Sequence, residues 1–403
     1  MIVMSDFLTM DGVKFEGKVA LVRVDLNLGI ERGKLDISDR VKEHAKTIRE
    51  LSEKKARVVI LAHQGRAGDK DFLSLENHAA ILSRYVKKPV KFADDIVGAT
   101  AKNAIEKLRN GQILLLENVR FLAEESLELP ADAHSKSIFV QRLSKLADIF
   151  VLDAFSCSHR SHASIVGFTK TLKTVAGRVM EKELSGLNRF DNPAKPCVYV
   201  LGGAKVEECV KLLKSPLAGK VDKILTSGIL GELCLIAKGV DIGKKKELLE
   251  KDGKLKLLPD VKQFLEKNEN IEMPVDFAYD DNGRKEISVS GVKNTDKPCF
   301  DIGSITIDKY KNIISEAKTV YIKGPLGVYE DKSFQAGTKE VFSAAANSGA
   351  FILIGGGNTL SAVDKFKVNR KNMHISLAGG ALLSYLSGEK LPGVEALKNS
   401  GKK

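Results

Sequence analysis

The segment DAFSCSHRSHAS, residues 153–164, holds a cysteine, two histidines and an arginine. Cysteine with histidine is the make-up of a metal site or an activated thiol. Histidine with arginine is the make-up of an anion cradle, because the guanidinium fork matches phosphate and carboxylate. Cys157, His159 and His162 lack a second ligand pair at zinc spacing, which disfavours a structural metal. A thiol nucleophile needs a base and an activating environment, which a sequence does not display. The anion reading gains from its company. AHQGR (62–66) carries His63 and Arg66, LLLENVRF (114–121) carries Arg120, and RVDLN (23–27) carries Asp25 and Asn27. ISDR (37–40) puts Arg40 in the first turn of an expected helix, and the opening segment adds Arg160. A lone arginine is most often solvated, but this group collects at the ends of strand-like runs in one half of the chain.

The second half is furnished differently. GGGNTLSA (355–362), VLGGAKVEE (200–208) and KGPLGVYE (323–330) each place glycine just past a strand-like run. Glycines let the backbone approach phosphates, and a helix N-terminus supplies free N–H donors of positive polarity. Lys205 is expected just inside the helix that follows Gly203, as a point charge for a phosphoryl group. Gly356 and Gly357 open another helix, and Glu330 suits ribose hydroxyls or simply a helix N-terminus. Leu360 stands where the dinucleotide fingerprint needs a third small residue, and no P-loop sequence occurs.

These residues need a frame that gathers strand ends. Apolar runs at 18–25, 56–63, 112–118 and 148–155 and at 196–203, 223–228, 318–324, 350–357 and 373–380 are continuous rather than alternating. That pattern suits strands buried on both faces of a parallel sheet. Helical patterns such as 38–55 and 333–348 separate them, which predicts doubly wound α/β sheets with ligands outside the strands' carboxyl ends. At 403 residues the chain exceeds one core, so two domains are expected, one gripping a small polyanion with side chains and one meeting a nucleotide with backbone amides.

Composition excludes other classes. No secretory leader and no apolar run of membrane-spanning length occurs, and five scattered cysteines without a C-x-x-C pair fit a reducing cytoplasm. The net charge of +12 admits a nucleic-acid binder, but aromatic residues are 6% with no tryptophan, so stacking platforms are few. Lysines at 243–258 alternate with glutamates and read as a solvated helical face.

Taken together, RVDLN, AHQGR, LLLENVRF, DAFSCSHRSHAS, LGGAKV, GPLGVYE, GGGNT, HISLAGGA and LPGVEAL, in that order, resemble phosphoglycerate kinase, and its archaeal branch in particular. The resemblance implies two Rossmann-like doubly wound parallel-sheet domains joined by a helical hinge. It divides the chain into a phosphoglycerate-binding domain over 1–172, an inter-domain helix over 173–190, a nucleotide-binding domain over 191–388 and a tail over 389–403 that returns to the first domain. It implies that Asp25, Asn27, Arg40, His63, Arg66, Arg120 and Arg160 hold 3-phosphoglycerate or 1,3-bisphosphoglycerate, with His159 and His162 beside them. Gly203, Lys205, Lys323, Glu330, Gly356, Gly357, Asn358 and Thr359 would surround ADP or ATP, and Arg40, Lys205, Gly356 and Gly357 would act on the transferring group. Magnesium would arrive with the nucleotide. Asn358, whose neutral amide is a weaker ligand for a hard cation, stands where most members carry aspartate, and Lys323 stands in place of asparagine as compensating charge. Cys209 replaces a second lysine, and SGILGE (227–232) replaces a fuller glycine run at the base pocket. The expected enzyme is a cytoplasmic phosphotransferase, monomer or homodimer, with small-molecule partners and neither nucleic acid nor membrane. The alternative is a non-catalytic nucleotide or polyanion binder, which Asn358 and Cys209 would favour.

Overall fold

The computed structural model describes residues 6–31, 34–215 and 219–400. Two compact units divide the chain, one running to Asn188 and resumed from Lys390, the other spanning Arg189–Glu389.

In the first unit the continuous apolar runs form four largely buried strands, and two short strands outside those runs join them at the sheet's edges. These are β1 (Val19–Arg23), β4 (Arg57–Leu61), β5 (Val90–Ala93), β6 (Ile113–Leu116), β7 (Ile149–Leu152) and β8 (Lys173–Ala176), with β2 (Ile30–Glu31) and β3 (Lys34–Leu35) forming a small separate ribbon. The six-stranded sheet runs β5-β6-β4-β1-β7-β8 and every pairing is parallel. Register puts Arg23 level with both Leu61 and Leu152, so the residues just beyond them share one edge. The chain order reverses at β1, the switch point where open sheets bind ligands. The helix Asp39–Glu53 covers this sheet through Val41, Ala45, Ile48 and Leu51, all buried at helical spacing.

The second unit contains β9 (Cys197–Leu201), β10 (Lys223–Thr226), β11 (Ile271–Glu272), β15 (Thr319–Lys323), β16 (Phe351–Gly355) and β17 (Met373–Ser376) in the order β11-β10-β9-β15-β16-β17, again all parallel. A small antiparallel sheet of β12 (Asp276–Asp280), β13 (Arg284–Ser288) and β14 (Cys299–Ile302) is added to it. The switch point lies between β9 and β15, where Leu201 pairs with Lys323. There the turns interlock. A Cβ on Gly324 would stand 2.2 Å from the Gly202 carbonyl oxygen, and one on Gly202 would stand 2.5 Å from the Pro325 oxygen. Gly324 also has φ +81°, so both space and backbone demand glycine.

The segment expected as an inter-domain helix over 173–190 begins as a strand. Lys173–Ala176 form edge strand β8, and the helix runs Arg178–Asp191. Four extended residues are too short for pattern reading to separate from the helix that follows. Arg178 ties this helix into the first unit by pairing with Asp11 at 2.6 Å, Glu50 at 2.6 Å and Glu181 at 2.8 Å. Phe190, near its end, packs on Tyr321 and Phe351 of the second unit's core. The tail helix Pro392–Ser400 belongs to the first unit, where the Gly393 N–H donates to the Ser158 carbonyl at 2.9 Å. No helix among the described residues is long and apolar enough to cross a membrane.

Gly324→Ala is expected to cost about 2 kcal/mol or more in urea denaturation, because it adds overpacking to a left-handed backbone. Gly349→Ala shares the left-handed φ (+76°) but has nothing within 4 Å of its Cβ, and should cost about 1 kcal/mol. Equal losses would show that the interlock is not tight.

Candidate functional site

The first unit's strand-edge residues form a basin of fixed cations over buried acceptors. Asp25, just past β1, is buried and accepts from the Asn27 N–H at 3.0 Å and from the Ser156 hydroxyl. Its carboxylate lies 3.3 Å from the Arg40 guanidinium. Burial opposes ionisation of Asp25, but the Arg40 guanidinium and the hydrogen bonds from Ser156 and the Asn27 N–H outweigh it and hold the carboxyl below its ordinary range. The Asp25 N–H donates to His44 Nε2 at 3.2 Å, and His44 Nδ1 meets Asp153 at 2.8 Å. Asp153 in turn accepts from the Val179 N–H at 2.8 Å, at the start of the helix Arg178–Asp191. Asn27 Oδ1 accepts from the Gly65 N–H at 2.8 Å, which locks the loop after β1 to the loop after β4.

The arginines lie around this frame. Arg120 donates to the Gly65 carbonyl, and its pKa is lowered first by burial and then by the charges of Arg160 and Arg23. Arg160 is half-buried and Arg66 is exposed. Arg23 is 1% exposed, donates to Ser164 Oγ at 2.7 Å and faces His63 Nδ1 at 3.0 Å. Ser164 passes the bond on to Glu125 at 2.7 Å, and Glu125 is fully buried with its carboxyl raised by that burial. A guanidinium is always a donor, so His63 Nδ1 is the acceptor, and the imidazole is neutral. Burial, then Arg23, pushes the pKa of His63 well below 6.5. His162 is driven down to about 3 by burial, then by Arg160, Arg120 and Arg23, although Glu128 lies 3.2 Å away. The positive charge of the basin is therefore arginine charge.

Asp25, His63 and Cys157 offer ligand atoms within 4.8 Å of one another. Burial raises the Cys157 thiol, so it is protonated and a poor metal ligand. The structure bonds Asp25 directly to Asn27 and Arg40, links Asn27 to Arg120 through Gly65, sets His63 within 4.8 Å of Asp25, and adds the charge of Arg160 beside Arg120. It leaves Arg66 at the rim. Arg23, His44 and Glu125 escaped the sequence reading. Arg23 had a signal, a cation ending the otherwise apolar run VALVR.

In the second unit Gly202–Gly203, Gly228, Gly324 and Gly356–Gly357 follow strands that end level with one another. Of these, Gly203 and Gly228 line a cavity of about 260 Å³, together with Pro325, Glu330 and Asn358 among others. Gly356 has φ +96° and precedes the helix Gly357–Lys365, and a Cβ on Gly357 would meet nothing within 4 Å. The Lys323 ammonium, largely buried, pairs with Glu208 and stands 3.7 Å from where a Gly356 Cβ would be. Lys205 lies at the N-cap rather than inside its helix, Val206–Leu213, with its side chain 75% exposed and 4.0 Å from Glu208. Thr359 is 1% exposed; its hydroxyl accepts from the Gly324 N–H at 2.8 Å and donates to the Gly355 carbonyl at 2.8 Å. It pins two glycine turns together. Cys209 is buried against the Gly202 carbonyl with its thiol pushed up to about 12. Glu330 and Asn358 are exposed at the cavity.

The protein-family model described as phosphoglycerate kinase matches residues 10–389. A phosphoglycerate kinase of Sulfurisphaera tokodaii is 43% identical over 390 residues, 95% of this chain and 94% of that one. That of Saccharolobus solfataricus is 43% identical over 398 residues, 97% of each. The crystal structure of phosphoglycerate kinase from Pyrococcus horikoshii OT3 superposes with a TM-score of 0.89 at 37% identity, covering 98% of this chain and all (100%) of that one.

The titration of His162 has a definite sign. Its folded pKa, about 3, lies below the ordinary 6.5, so its contribution to stability is present above pH 6.5 and lost as pH falls toward 3. In His162→Gln the urea midpoint should fall less between pH 7 and pH 5 than in the parent chain. An unchanged pH dependence would mean the imidazole is not held neutral.

Proposed function

The chain belongs to the phosphoglycerate kinase family and is a kinase that transfers phosphate to the carboxyl group of 3-phosphoglycerate; on that premise we propose how its residues divide the work. The first unit's basin takes 3-phosphoglycerate or 1,3-bisphosphoglycerate. Arg40, Arg66, Arg120 and Arg160 carry the charge, and Asp25, Asn27 and His63 set the shape. The second unit's cavity takes ADP or ATP, with Glu330 toward the ribose and Gly203, Gly356 and Gly357 toward the phosphates. The observation that carries this division is the contrast between the two strand edges. One is lined by arginines whose charges lower the basicity of Arg120, the other by glycine turns, of which Gly202 and Gly324 have no room for a Cβ.

The attacking carboxylate has a pKa near ~3.5, so it is ionised at neutral pH and needs no general base. The neutral state of His63 and His162 fits that requirement. Rate enhancement then rests on alignment and on positive charge at the transferring phosphoryl oxygens. Arg40 from one unit, and Lys205 with the N–H groups at Gly356–Gly357 from the other, are the groups assigned to it. The buried Lys323 beside Gly356 adds fixed charge there. Thr359 acts by holding the turns. Magnesium is part of the nucleotide substrate. Asn358 offers it one neutral amide oxygen, so nucleotide phosphates and water supply the other ligands. Two ligands held by different units must meet for transfer, which assigns the hinge to the helix Arg178–Asp191. All five cysteines are free and buried, which suits a reducing cytoplasm. A non-catalytic binder is not favoured, since relatives of the same length over the whole chain are kinases by name.

A coupled assay with 3-phosphoglycerate and Mg-ATP should give turnover, and none with magnesium, manganese or cobalt would sink the reading. Arg40→Ala should lose at least about 100-fold in kcat with nucleotide affinity within about twofold. A parallel loss of nucleotide binding would reverse the assignment of units. Arg160→Ala should weaken phosphoglycerate binding at least about tenfold, and Cys157→Ala less than about twofold. The opposite ranking would overturn the arginine basin.

A further inference from the structure

The cavity of the second unit holds one group that phosphate binding does not use. Glu232 lies one turn along the helix Gly228–Ala237, lines the cavity, and is 5% exposed. Its Oε2 is buried and has no hydrogen-bond partner among the described residues. Lys245, which also lines the cavity, faces Oε1 at 3.4 Å and donates to the Cys299 carbonyl at 3.4 Å. Burial drives the Glu232 carboxyl up to about 7 against the attraction of Lys245. Phe277, Phe300 and Leu326 add apolar wall to the same cavity. An unpaired carboxylate oxygen in such surroundings is costly unless a ligand supplies a donor.

We propose that Glu232, with Lys245 beside it, reads the base of the nucleotide and selects adenine. This deepens the reading of the cavity as the nucleotide site and rests on it. The inventory of unused hydrogen-bonding capacity makes the match. An ammonium has three N–H groups, and Lys245 commits one to Glu232 and one to Cys299, which leaves one donor. Glu232 offers one unused acceptor oxygen. The terminal torsion of a glutamate is broad and two-fold, so a small rotation turns that oxygen to the cavity. Adenine presents an exocyclic amino donor next to a ring-nitrogen acceptor, one of each. Hypoxanthine carries the same two positions with the polarity reversed, a carbonyl where the amino group was and an N–H beside it. Guanine adds a second donor for which the pair has no second free oxygen. Ribose and phosphates anchored at the glycine turns prevent the base from sliding to exchange its partners. A site built to hydrogen-bond a group rejects the analogue that lacks it, because its own buried atoms stay unpaired.

Calorimetric titration of the full chain with ADP, IDP and GDP at pH 8.5, where Glu232 is ionised and offers only acceptors, tests this independently of turnover. ADP should bind about 10- to 100-fold more tightly than IDP, the range expected for hydrogen bonds to a charged group. Glu232→Leu should bring the two within about threefold, chiefly by weakening ADP. Glu232→Gln, nearly isosteric, should give an intermediate ratio and serves if the leucine variant does not fold. Equal binding of ADP and IDP by the parent chain, or an ADP preference that survives both substitutions, would overturn the proposal while leaving the kinase reading intact. Absence of binding by every nucleotide, together with absence of turnover, would overturn the nucleotide site itself and this proposal with it.

Discussion

Concentrating arginine charge in one half-buried basin is the constraint on which the rest of the first unit depends. Burial and the charges of Arg160 and Arg23 lower the basicity of Arg120, and water is largely excluded around Arg23. Such an arrangement survives only if something opposes the repulsion. Glu125, fully buried and bonded through Ser164 to Arg23, supplies a negative charge from beneath. Asp25 supplies another beside Arg40. Neutral histidines at 63 and 162 fill the remaining polar positions without adding charge. Much of the polar machinery of this edge therefore serves to hold cations close together, the state the proposed phosphoglycerate site requires.

The second unit solves a related problem with backbone. In the proposed division of work its strand edge brings N–H groups near phosphates, where side chains would stand in the way. Gly202 and Gly324 approach so closely that neither has room for a Cβ, and Thr359 bonds across two of the turns. The cationic help comes from Lys323, buried beside Gly356 and balanced by Glu208. Cys209, which stands where a second lysine is usual, is buried behind Gly202 and takes no part in charge.

Much of this was legible in the sequence because buried parallel strands are continuous apolar runs whose first polar residue lies at the ligand edge. Each of the nine runs read that way is a strand, and His63, Asp25, Gly203 and Gly356 fall just beyond their strands. What was illegible has physical reasons. Val90–Ala93 and Lys173–Ala176 are short strands outside the centre of their sheet, and Arg284–Ser288 is charged because one face of a small antiparallel sheet is wet. Glu125 and Ser164 are far apart in sequence, so a buried ionic chain through them leaves no local pattern. The lysine-rich stretch at 243–258 looked wholly solvated, yet Lys245 turns inward to Glu232 while its neighbours Lys244 and Lys246 stay exposed. Periodicity shows which face is polar and not which single lysine has a buried partner.

The central claim is that the basin's positive charge belongs to arginines and is in place before the ligand arrives. It is tested most directly by counting protons. Calorimetric titration with 3-phosphoglycerate at pH 8, where the phosphate is already a dianion, can be repeated in buffers of different ionisation enthalpy. The account predicts proton uptake close to zero, because guanidinium groups are already charged and His63 and His162 stay neutral. Uptake approaching one proton per phosphoglycerate bound would contradict it and assign the anion's counter-charge to a histidine.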